Sequence, residues 1–105
     1  MRVEFPHLDH LVGGYFHQDW KTDGDTWVDV VKLFCRMEQL EYRRGVVEDI
    51  EELQRLSETE MQLLQVLNEF GCAYRVDGSI REWLKGVAGI VRSSLDRADQ
   101  QAPLQ

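Results

Sequence analysis

The sequence has little of what membrane, secreted or nucleic-acid-binding proteins rely on. No apolar run approaches the ~20 residues that a membrane span needs, so no membrane role is expected. The amino end, Met1-Arg2-Val3-Glu4-Phe5-Pro6, has neither the basic nor the apolar region of a secretory signal, and a cytoplasmic location is expected. Cysteine occurs twice, as Cys35 and Cys72, in no metal-ligand or redox spacing; two buried thiols in a reducing compartment is the plain reading. Positive charge is also scarce. Nineteen acids stand against 12 Lys and Arg, for a net charge of -7, which disfavours direct contact with nucleic-acid phosphates or anionic lipid.

What is present is enough to fold. Hydrophobic residues make up 43% and charged residues 30% of 105 residues, a balance that supports one packed core. The apolar residues recur at helical spacing and little alternates as a strand would. Phe5, Leu8, Leu11, Val12, Tyr15 and Phe16 share one helix face, with Pro6 suited to the first turn and the regular part ending near Tyr15. Residues 17 to 25 are non-periodic, and Asp25 or Thr26 is placed to cap a helix whose stripe is Trp27, Val30, Val31, Phe34 and Cys35. Gly45 is expected to separate or bend this from a third helix carrying Val46, Val47, Ile50, Leu53 and Leu56.

Thr59 with Gln62, and Ser79 with Glu82, fit capping boxes. The first opens a stripe of Leu63, Leu64, Leu67 and Phe70, closed by Gly71 as a left-handed cap. The second opens a stripe running from Ile80 through Trp83, Leu84, Val87, Ile90 and Val91 to Leu95. The expected fold is therefore all-α, a compact single-domain bundle of about five helices over residues 1–98, with a frayed tail at 99–105.

Chemical motifs are weak. His7 and His10 share a helix face and His17 follows, but a zinc site needs three or four converging ligands, and the histidines read instead as solvated residues on the outer face of the first helix. A calcium loop over Asp19, Asp23 and Asp25 fails at Lys21 and Val30, where oxygen ligands belong. No serine sits on a glycine-flanked strained turn, and Gly13-Gly14 lacks the lysine and hydroxyl of a phosphate loop. No catalysis, metal or other cofactor is expected.

Charge placement says more. Between Glu38 and Glu69 nine acids face three arginines; between Asp9 and Asp29 five acids face Lys21 alone; the last helix region, Arg75 to Arg97, is the basic part. Two negative fields on one small body would attract and orient a basic protein partner. The expected contact set is Asp23, Asp25, Glu48, Asp49, Glu51 and Glu52, with Trp20, in the irregular segment beside Asp19, as an aromatic anchor.

The run Tyr15-Phe16-His17-Gln18-Asp19-Trp20, preceded by Phe5-Pro6-His7-Leu8-Asp9-His10-Leu11, resembles the immunity proteins of bacterial contact-dependent growth inhibition (CDI). The likeness continues through Leu63-Leu64, Leu67, Phe70-Gly71-Cys72 and Tyr74 to Arg81-Glu82-Trp83-Leu84, and covers roughly residues 5 to 92. The short glycine-containing loop 21–25 departs from it. The resemblance implies a small cytoplasmic protein that neutralises a cognate toxin domain, commonly a basic nuclease and often one that cleaves tRNA. It also implies that Tyr15, Phe16 and Trp20 are scaffold. A generic helical adaptor for another intracellular partner is the alternative.

Overall fold

The computed structural model describes residues 5–16, 26–72 and 74–101. Five helices follow in order: α1 (Pro6–Tyr15), α2 (Trp27–Met37), α3 (Leu40–Leu56), α4 (Glu60–Glu69) and α5 (Ile80–Gln101). No strand occurs among the described residues, so the fold is all-α as the periodicity requires. Helix α5 packs on α3 and α2, while α1 lies mainly across α3. The regular backbone of α5 continues to Gln101, inside the stretch from Asp99 that lacks periodicity in sequence.

Local chemistry starts three of these helices. Thr26 caps α2: its hydroxyl accepts from the Asp29 amide, and the Asp29 carboxylate accepts in return from the Thr26 amide, both at 3.3 Å. Thr59 and Gln62 do the same for α4, and at α5 the Ser79 hydroxyl accepts from the Glu82 amide. Helix α4 ends as expected at Gly71, whose φ of 80° lets the Cys72 amide reach back to the Leu67 carbonyl and the Gly71 amide to that of Asn68.

The junction between α2 and α3 corrects the sequence reading. The break falls at Glu38–Gln39, both extended, and not at Gly45, which lies buried inside α3. Glu38 leaves the helix because its carboxylate is held by two groups of α1, the Tyr15 hydroxyl at 2.7 Å and His10 Nε2 at 3.0 Å. Gly45 serves another purpose: a Cβ there would overlap the His7 imidazole, so the missing side chain is what allows α1 to cross α3 closely. His7 is thus half-buried where α1 crosses α3, while His10 stays exposed, as expected, at the α2–α3 corner, and His17 lies outside the described residues. Tyr42 completes this contact, with its ring 5.7 Å from that of His7 and 5.3 Å from that of His10.

The core draws on every helix: Leu8, Leu11 and Val12; Val30, Val31 and Phe34; Val46, Ile50 and Leu53; Leu63 and Leu67; Leu84, Val87 and Val91. Each such side chain contributes about 1.5–3 kcal/mol on burial, so these contacts and not the exposed ion pairs hold the bundle together. Trp83 is buried among the rings of Phe16, Trp27 and Tyr74 at 5.4, 5.9 and 5.5 Å. Two residues of the expected stripes face outward instead: Leu56, in the last turn of α3, and Leu64 of α4. The two cysteines are half-buried and not joined to each other.

Candidate functional site

Of the seven residues singled out for partner contact, Trp20, Asp23 and Asp25 lie outside the described residues. The other four sit along α3, within two turns of one another, because positions 48, 49, 51 and 52 follow the outward and flanking faces of a helix whose inner face is Val46, Val47, Ile50 and Leu53. Their roles within the fold differ sharply. Glu48 is exposed and makes no ion pair among the described residues. Glu51 pairs with Arg92 of α5, and Glu52 with Arg55 one turn along its own helix.

Asp49 points the other way, toward α1. Its Oδ2 accepts from the amides of His7 at 2.8 Å and Leu8 at 3.0 Å. Helix α1 has no side-chain cap of its own, so Asp49 satisfies two amides that would otherwise lack a partner. The negative charge also lies against the positive end of the α1 dipole. The Asp49 side chain is only 15% exposed and also lies 3.8 Å from His7 Nδ1, so little of it is left for a partner.

Two further carboxylates belong to the same picture and were not singled out from sequence. Glu38 is held below the usual carboxylate range first by the Tyr15 hydroxyl and then by His10, and it stays anionic at the α2–α3 corner. Glu60 opens α4 and accepts from the Ile80 amide at 2.6 Å, the Arg81 amide at 3.1 Å and the Ser79 hydroxyl at 3.0 Å. Those backbone hydrogen bonds lower its pKa in the same way. Arg81 in turn donates to the Gln54 and Ser57 carbonyls at the end of α3, placing a cation where helix carbonyls converge. Glu60 and Arg81 therefore tie three helix ends together. Tyr15 and Glu38 are 23 residues apart and Glu60 and Ile80 are 20 apart, so no local pattern announces either contact.

The apolar surface is uneven. Met37, Tyr42, Leu56, Met61 and Leu64 are large hydrophobic residues left exposed. Beside Leu64 a half-open cleft of about 500 Å³ runs between α4 and the connection to α5. The Cys72 thiol on its wall donates to the Tyr74 carbonyl at 3.3 Å, and burial pushes its pKa up, which keeps it in the protonated, less nucleophilic form. Burial does the same to the Tyr74 phenol, helped by Asp77 nearby. Among the described residues no three His, Cys, Asp or Glu side chains converge as a metal site would require, and no helix is long and apolar enough to cross a membrane.

The arrangement is suited to recognition: a helical body with carboxylates on α3, an anionic corner held by Tyr15 and His10, and a half-open cleft of mixed polar and apolar lining beside α4. Comparison with known proteins agrees in kind. The family model described as CdiI immunity protein matches residues 4–91. No curated protein matches. Among solved structures, a chain from the crystal structure of a CdiA-CT/CdiI complex from Y. kristensenii 33638 superposes with a TM-score of 0.78 at 26% sequence identity, over 83% of this chain and 97% of that one.

Proposed function

Because the chain belongs to the CdiI immunity protein family, we propose that it binds one cognate CDI toxin domain and neutralises it by occlusion, without turnover. The observation that carries this reading is the family match across residues 4–91, joined to the likeness to a chain solved in a CdiA-CT/CdiI complex. On this reading the toxin is a basic nuclease of the tRNA-cleaving kind, and the encounter takes place in the cytoplasm. The net charge of -7 supports this. An enzyme that grips phosphates lines its cleft with cations, and a body bearing carboxylates is drawn to that cleft and oriented by it.

Within this reading the contact set remains Trp20, Asp23, Asp25, Glu48, Asp49, Glu51 and Glu52. Glu48 is best placed to meet a cation directly, being exposed and unpaired among the described residues. Glu51 and Glu52 would exchange Arg92 and Arg55 for cations of the toxin. Such exchanges sacrifice little, because exposed ion pairs contribute only about 0–1 kcal/mol.

The test uses the toxin domain encoded beside this chain's gene. Wild-type chain should abolish the toxin's RNA cleavage at a one-to-one ratio. Reversing Glu48 and Glu52 together to lysine should slow association about 10-fold at low salt, with helix content unchanged. An unchanged association rate would remove α3 from the interface, while uninhibited cleavage by the wild-type mixture would remove the function itself.

A further inference from the structure

Charge is not spread evenly around α3. Tyr42, Gly45 and Asp49 share the flank that α1 crosses: Asp49 accepts from the His7 and Leu8 amides, and Gly45 lies against the His7 ring. Glu38, at the corner just ahead of α3, is held on the same side by Tyr15 and His10 of α1. Amides and a hydroxyl occupy lone pairs of these carboxylates without cancelling their charge. Glu41 and Glu48, both exposed, continue the negative field onto the adjoining outer face of α3.

The arginines at this end of α3 lie elsewhere. Arg43 donates to Ser94 of α5, and Arg92 of α5 pairs with Glu51. Arg44 is two positions from Tyr42 and so stands on the opposite side of the helix. Arg36 of α2 is likewise two positions from Phe34, the residue whose ring meets Tyr15 and His10.

Tyr42 is the exposed aromatic residue within this field. It is 41% exposed, and the rings of His10 and His7 brace it at 5.3 and 5.7 Å. A side chain braced in this way has little freedom left to lose on binding, and tyrosine is enriched among the residues that dominate interface affinity. The face of its ring attracts a cation, and the carboxylates around it draw the same cation.

We propose that Tyr42 is the aromatic anchor of the toxin interface, its ring receiving a lysine or arginine side chain of the toxin. The inference rests on the toxin-binding reading above and adds to it a residue and a contact. The carboxylates set the speed of encounter, and Tyr42 sets how long the complex lasts.

The test is binding kinetics between the full chain and its cognate toxin domain. Tyr42→Leu keeps apolar bulk against His7 and His10 but removes the ring, so circular dichroism should match wild type while toxin dissociation accelerates ~10-fold. Should that variant lose helix content, Tyr42→Met, with an unbranched and adaptable side chain, carries the same expectation. Tyr42→Phe keeps the ring and should dissociate within about 2-fold of wild type. Arg44→Ala, on the opposite side of α3, should leave dissociation unchanged. The anchor is overturned if the folded ring-less variant dissociates like wild type, if Tyr42→Phe is impaired as much, or if Arg44→Ala has the larger effect; in each case normal binding by wild type leaves the toxin-binding reading standing. A wild-type chain that does not bind the toxin overturns both. Sedimentation showing that the free chain dimerises, and that Tyr42→Leu disperses the dimer, would assign the ring to a second copy and also overturn the proposal.

Discussion

Gly45 and Gly89 both lie in helix interiors, yet replacing each with alanine should move stability in opposite directions. Alanine gains up to about 1 kcal/mol over glycine in a helix, by propensity and by restricting the unfolded chain. At Gly89 nothing lies within 4 Å of the added Cβ, so the gain should be realised. At Gly45 the same atom meets the His7 ring, and relief requires moving α1 or rotating a side chain packed against Tyr42. Overpacking of this kind costs about 1–3 kcal/mol, more than the propensity gain. Urea unfolding should therefore show Gly45→Ala destabilised and Gly89→Ala stabilised, with His7→Ala recovering part of the loss only in the Gly45→Ala background. The sequence reveals that Gly45 is special but not in what way. Read along one helix a glycine is a breaker, and only the crossing partner, 38 positions earlier, shows that it is a seat for a ring.

Helix ends show where sequence reading succeeds and where it stops. Thr26, Thr59 and Gly71 are legible because a cap acts on amides or carbonyls within a few residues of itself, so the pattern and its effect share one window. The start of α1 depends instead on Asp49, and that of α5 on Glu60 in addition to its local Ser79 cap, both carboxylates coming from other helices. The break at Glu38 likewise depends on Tyr15 and His10, so its location cannot be read from the run between Val28 and Leu56. Two predictions belong here. Asp49→Ala leaves the His7 and Leu8 amides without their acceptor and should cost about 1–2 kcal/mol, detectable as early exchange of the α1 amides.

Glu60→Gln tests pH dependence. The folded pKa of Glu60 lies below the ordinary value of 4.5. The unfolded chain therefore takes up this proton first as pH falls. The contribution of Glu60 is complete above the unfolded value and is lost as pH drops through the folded one. Glutamine removes that titration, so the acid limb of stability against pH should become shallower below about pH 5, with a lower plateau at neutral pH. An acid limb identical to wild type would show that the three donors at the α5 start do not depend on the charge of residue 60.

At the scale of the whole molecule, the negative surface is smaller than the sequence count suggests. Asp49, Glu38 and Glu60 are engaged in holding helices, and Glu51 and Glu52 are each neutralised by an arginine. The field felt by an approaching cation therefore depends on charges that the fold has left uncompensated, Glu41 and Glu48 on α3 among them. This makes Arg92 a sensitive handle. Arg92→Ala frees Glu51 and makes the net charge more negative by one, and loss of an exposed ion pair changes stability by no more than about 1 kcal/mol. If the α3 face steers the toxin, the variant should associate faster than wild type below about 0.05 M salt. The two should converge as salt shortens the screening length to ~10 Å at 0.1 M and less beyond. Stopped-flow association across a salt series measures this directly. A rate that stays equal to wild type at every salt concentration, or falls, would mean that the basic partner approaches from another side and that the carboxylates of α3 serve the fold alone.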